Sequence, residues 1–259
     1  MSFVEQHSFR LLEHENWITE APLPIPPLLK QFYRGQQHDA LPLGQVGMLS
    51  APGGAGKTWV FLQLAISVAI GRSFYGQGGF SVASPGPVYY ALSEERAEHI
   101  RRRIWQLTQY MKLSDTDVKL LKQRLMFGVY YGEAHKITMV QPMDIRGKNM
   151  VPTAYANELK EYLSGGIDGD LYKLVLLDPA SRFGGTEMET SASAANAFIG
   201  VLEGYSTISG NPSVLFAHHT NKASRKQPKT KEGRSKKAEK VNDKDYRPDS
   251  TAFRGSTAL

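Results

Sequence analysis

The run Ala51-Pro52-Gly53-Gly54-Ala55-Gly56-Lys57-Thr58 ends a glycine-rich stretch with a lysine and a hydroxyl. Glycines let successive backbone N–H groups turn toward one point, and a helix N-terminus placed behind them adds partial positive charge. The pattern therefore predicts a phosphate-binding loop, with alanine in place of the usual first glycine. Pro52, Gly53, Gly54, Ala55 and Gly56 would form the cradle. Lys57 would reach the β- and γ-phosphates of a nucleotide, and the Thr58 hydroxyl would take a Mg²⁺ position.

Such a loop needs a carboxylate on the metal side, held at the end of a neighbouring strand. Asp178 closes the apolar run Leu174-Val-Leu-Leu177 and fits that role. Hydrolysis also needs a group that takes a proton from water, and Ser93-Glu94-Glu95 follows directly after Val88-Tyr-Tyr-Ala-Leu92. Position alone leaves Glu94 and Glu95 open as bases, or as acids suited to a helix N-terminus. His218 and His219 end the last apolar run, Val214–Ala217. Adjacent strand residues point to opposite faces, so the two are not a metal pair; one is expected to face the phosphates and the other to be structural.

These residues require a frame of alternating strands and helices. Val46–Ser50 reads as a strand and Thr58–Ile70 as a helix. Val88–Leu92 is a second strand, Arg96–Tyr110 a charged helix, and Leu125–Tyr131 a third strand. Pro152–Leu163 reads as a helix with proline at its start. Leu174–Leu177 and Val214–Ala217 are continuous apolar runs, the mark of strands buried on both faces, and Ser191–Tyr205 is an alanine-rich helix between them. The expected fold is α/β, a mostly parallel sheet with helices on both faces. The carboxyl edge of such a sheet is where ligands bind. Before it, residues 1–35 read as an extended arm, because Ala21-Pro-Leu-Pro-Ile-Pro-Pro27 imposes a polyproline-like path. The core is expected over residues 36–259.

The chain has 259 residues, 41% of them apolar, which excludes a wholly disordered protein. It has no cysteine, which excludes a disulfide framework, a thiolate zinc site and a cysteine nucleophile. The longest apolar-rich run, Val60–Ile70, is interrupted by Gln63 and Ser67, and the first residues carry charge where a signal peptide is apolar. No membrane association and a cytoplasmic location are expected. The formal charge of +6 is concentrated: Lys222–Arg247 holds eleven basic residues against four acids, a net +7. With so few apolar residues, residues 221–250 are expected to be a flexible basic loop. Lys222, Arg225, Lys226, Lys236 and Lys237 within it are candidate contacts to a nucleic-acid backbone. With Tyr246 as the segment's one aromatic residue, that binding would be electrostatic rather than base-reading.

Taken together, SAPGGAGKT, VYYALSEE, LVLLDPASRFGG, LFAHHTNK and the terminal FRGSTAL resemble the RecA-like ATPase core. Their order over residues 40–259 is most similar to the hexameric plasmid replicative helicases of the RepA type. The resemblance implies ATP and Mg²⁺ as ligands, single-stranded DNA as partner, and a homo-oligomeric, six-membered ring. It implies Glu94 as catalytic base, Asp178 as metal-side carboxylate and Arg182 as support. It also implies His219 as γ-phosphate sensor and Arg254 as an arginine finger acting on the neighbouring subunit's nucleotide. The basic segment falls where relatives carry a DNA-binding channel loop, but is longer here. Further strands are expected after RGST, so the resemblance implies a core cut short at Leu259. A loader or regulatory ATPase without unwinding would share every motif, whereas a small-molecule kinase would share only the phosphate loop.

Overall fold

The computed structural model describes residues 21, 23–76, 79–143, 149–185, 187–220 and 257–258. The strands are β1 (Pro27–Tyr33), β2 (Gln36–Pro42), β3 (Val46–Ala51), β4 (Phe80–Val82), β5 (Val88–Leu92), β6 (Leu125–Val129), β7 (Val140–Pro142), β8 (Met150–Pro152), β9 (Leu174–Asp178), β10 (Ser213–His219) and β11 (Thr257–Ala258). The helices are α1 (Lys57–Ile70), α2 (Ala97–Tyr110), α3 (Asp115–Arg124), α4 (Ala154–Ser164), α5 (Ala180–Phe183) and α6 (Ala192–Ser206).

The main sheet runs β11-β3-β10-β9-β5-β6, with every neighbouring pair parallel. Its central strands are apolar throughout because both faces are covered: β5 and β9 are buried at every position. Alternate residues divide between two cores. Tyr90, Leu92, Leu174, Leu176 and Leu215 face Phe61, Leu62 and Ile66 of α1, Ile100 and Leu107 of α2 and Leu121 of α3. Tyr89, Ala91, Val175, Leu177 and Phe216 face Leu159 and Leu163 of α4 and Phe198 and Leu202 of α6. The expected α/β architecture is present.

Three local expectations change. Residues 27–33, read as the end of an arm, form β1, paired antiparallel with β2 and β4. The gain is burial: Leu28 and Leu29 are 0% and 5% exposed within the α1-side core. Pro27 is the strand's first residue, where a missing N–H does least harm. Arg34 (φ 50°) and Gly35 (φ 81°) turn the chain into β2, the two consecutive positive φ angles of a tight hairpin turn. Pro152 does not open a helix; it ends β8 opposite Val140, and Thr153 caps α4 by accepting from the Ala156 N–H at 3.3 Å. A helix unmarked by the sequence reading, α3, is nucleated by a capping box in which Ser114 and Asp117 exchange hydrogen bonds. Residues 1–20 of the expected arm, and the basic loop, lie outside the described residues.

Candidate nucleotide site

Strands β3, β5, β9 and β10 end on the same edge of the sheet, and the glycine-rich turn rises from it between β3 and α1. Gly54 and Gly56 sit at φ 77° and 91°, in the left-handed region that a side chain disfavours. Gly56 is the N-cap of α1, so Lys57 and Thr58 occupy its first turn. The N–H groups there lack intrahelical partners and, with the helix dipole, favour an anion.

Lys57 is 6% exposed. Its ammonium donates to the carbonyls of Ala51 (2.7 Å) and Pro52 (3.1 Å) and to His219 Nδ1 (3.0 Å). Burial lowers its pKa, and the nearby Asp178 and Glu94 carboxylates oppose that shift. An ammonium has no acceptor, so Nδ1 of His219 accepts and the ring proton sits on Nε2. That nitrogen faces Glu94 Oε2 at 3.6 Å, while Arg182 Nε lies 3.8 Å from Glu94 Oε1. His219 thus stands between the loop lysine and Glu94. Its neighbour His218 is buried; burial lowers its pKa, with Glu189 opposing, so the ring is neutral at pH 7.

The two carboxylates left open by their positions in the chain face different surroundings. Glu94 is exposed at the site edge. Glu95 turns toward α2, where Arg103 holds its Oε1 at 2.8 Å and itself stacks 5.2 Å over the Trp59 ring. Asp178 is 6% exposed. Its Oδ2 accepts from Thr58 Oγ1 at 2.7 Å and from the Tyr90 hydroxyl at 2.9 Å. The Ser93 N–H donates to the Asp178 carbonyl at 3.1 Å, tying the ends of β5 and β9 together. Tyr90 is fully buried; burial first, and then the Asp178 charge, raise its pKa, so it stays a donor. Thr58, Leu92, Glu94, Glu95 and Asp178 line a cleft of about 270 Å³.

Among the described residues no group of three or more His, Cys, Asp or Glu converges on a metal position. Mg²⁺ does not require one, since it keeps several waters and takes one or two protein oxygens beside phosphate. The Thr58 hydroxyl and Asp178 carboxylate, adjacent at the α1 N-terminus, are hard oxygen donors that fit it. The structure therefore gathers Pro52 to Thr58, Glu94, Asp178 and His219 at one edge. Arg254, Lys222, Arg225, Lys226, Lys236 and Lys237 lie outside the described residues. Tyr90, Arg103 and Trp59 are positioning residues that the sequence reading missed. Tyr90 carried a faint signal, as one of two tyrosines in an otherwise apolar strand, while Arg103 carried none.

Among the described residues no helix is long and apolar enough to cross a membrane. A family model described as AAA domain matches residues 15–225, most of the chain and every described element of the site. With a glycine cradle, a buried lysine, and a hydroxyl and strand-end carboxylate beside them on a parallel sheet, the chain belongs to this AAA domain family of P-loop ATPases.

Proposed function

We propose that this ATPase is a ring-forming motor on single-stranded DNA, a replicative helicase, in which nucleotide state is passed to a basic DNA-contacting segment. The observation that carries the reading is the position of His219. It contacts the loop lysine, faces Glu94, and stands three residues before Lys222, where the segment that holds the net +7 charge begins. Thr220 is the last described residue before that segment, and its N–H still bonds to Ala51 O at the start of the phosphate loop (3.3 Å). A group that feels the γ-phosphate is thereby joined to a backbone-binding element by three peptide units.

In this reading the P-loop N–H groups and Lys57 hold the phosphates, and Thr58 with Asp178 hold Mg²⁺. The metal, when bound, neutralises charge shared by the β- and γ-phosphoryl oxygens. Tyr90 fixes the Asp178 carboxylate by donating to it. Glu94 takes the proton of the attacking water, and Arg182 and His219 orient Glu94. Arg254 serves the neighbouring subunit as a finger. The loader ATPase shares this chemistry and is separated by strand unwinding, which only the motor performs. Rings seen by electron microscopy with an ATP analogue and single-stranded DNA are the expected assembly; monomers or filaments would remove the ring.

Two further results are expected. Lys57→Ala removes a charge-assisted contact worth about 1.5–3 kcal/mol, so fluorescent-nucleotide affinity should fall roughly 10- to 100-fold. Affinity for single-stranded DNA should fall with salt, with a log–log slope of about −0.7 per phosphate contact. Replacing Lys236 and Lys237 by Ala should flatten that slope by up to ~1.4. An unchanged slope and affinity would show that these lysines do not touch DNA.

A further inference from the structure

The two stretches of chain that supply the helical layers on either side of the main sheet carry opposite net charge. Residues 57–136, which supply α1, α2 and α3, hold eleven Lys and Arg against six Asp and Glu, a net +5. Residues 149–220, which supply α4 and α6, hold three against eight, a net −5. The core contacts place these helices on opposite sides: Ile100 and Leu107 of α2 lie in one core, Leu159 and Leu163 of α4 in the other.

Each face also presents a helix with charge beside an exposed aromatic ring. On α2, Arg101 and Arg102 lie one turn from Trp105, which is 63% exposed. On α4, Glu158 lies one turn from both Glu161 and Tyr162, and Tyr162 is 52% exposed. Arg101, Arg102, Glu158 and Glu161 are all exposed. Among the described residues none of the four has an ion-pair partner. Trp, Tyr and Arg are the residue types that anchor interfaces.

We infer that the α2 face of one copy of this chain docks on the α4 face of the next, Arg101, Arg102 and Trp105 meeting Glu158, Glu161 and Tyr162. A second copy is the occupant that fits because each chain carries both complementary halves, on opposite sides. Two different patches joined head to tail make a heterologous contact, the kind that closes into a ring or extends as a filament. The inference rests on the oligomeric reading above and names its contact surface.

The test is sedimentation velocity of the full chain with Mg²⁺ and a non-hydrolysable ATP analogue. The wild type should associate, less so as salt rises. Arg101→Glu/Arg102→Glu and Glu158→Lys/Glu161→Lys should each weaken association about tenfold or more, because like charges then face each other. The substitutions are exposed, so each variant should keep its circular dichroism spectrum and melting temperature. Mixing the two reversed variants pairs acidic α2 with basic α4, and basic α2 with acidic α4, and should restore association. Intact association in both variants, or no recovery on mixing, would overturn this contact and leave the ring standing. A wild type that stays monomeric would overturn the ring and the contact together. Loss of single-stranded DNA affinity in Arg101→Glu/Arg102→Glu, with association unchanged, would assign the α2 face to nucleic acid and overturn the contact as well.

Discussion

ATPase activity is expected to reappear when Lys57→Ala subunits are mixed with Arg254→Ala subunits, although neither is active alone. A finger acts by setting a guanidinium against charge that develops on the transferred phosphoryl group, an effect of about 10³–10⁵ in rate. Lys57→Ala subunits bind nucleotide poorly but keep Arg254. Arg254→Ala subunits keep the phosphate loop, Asp178 and Glu94. If the finger reaches into the neighbour's site, some interfaces in the mixture join an intact loop to an intact arginine. Arginine working within its own subunit would leave every active site in the mixture defective. The measurement is steady-state phosphate release across mixing ratios, with mixed assembly verified by differently tagged subunits. Recovery that peaks near equal proportions establishes a shared site. Flat, background activity in verified mixed assemblies would remove the trans finger and favour the regulatory-ATPase or kinase reading.

The second large effect is the separation of Glu94 from Glu95. Glu94→Gln keeps shape and hydrogen-bonding reach but loses the basic oxygen, so it should bind ATP and hydrolyse it about 10²-fold more slowly or worse. Glu95→Gln should retain most hydrolysis, because that side chain is held by Arg103 and turned toward α2. It should instead loosen the Arg103–Trp59 contact, with the loss appearing as a lower melting temperature. The single-turnover rate, measured with nucleotide affinity in parallel, distinguishes a lost base from lost binding. Normal hydrolysis in Glu94→Gln together with a defect in Glu95→Gln would reverse the assignment.

The fold was legible because each buried strand of the parallel sheet is one short apolar run. Covered on both faces, β5, β9 and β10 need no polar alternation, so VYYAL, LVLLD and SVLFA mark themselves. The elements that went unread gain their stability from distant partners. β1 begins in a proline-rich stretch whose local preference is extended and solvated. Its pairing with β2 and β4, and the burial of Leu28 and Leu29 beside α1, decide otherwise. Pro152 looks like a helix start until β7 pairs with it.

The site divides in the same way. Residue type and spacing alone determined the phosphate loop, because the glycines, lysine and threonine act within one turn of chain and need only a strand before and a helix after. The strand-end acid was likewise determined by the apolar run it terminates. Direction was not. Glu94 and Glu95 both line the cleft, and which of them is tied up in an ion pair depends on Arg103, in the second turn of α2; which histidine meets Lys57 depends on how β10 lies against β3. Tyr90 lies 88 residues from Asp178 in sequence, and only the parallel register that sets Leu92 opposite Asp178 brings its hydroxyl to the carboxylate. Local chemistry is written in consecutive residues, whereas orientation at a sheet edge is set by neighbours far away in the chain, and tertiary packing alone decides it.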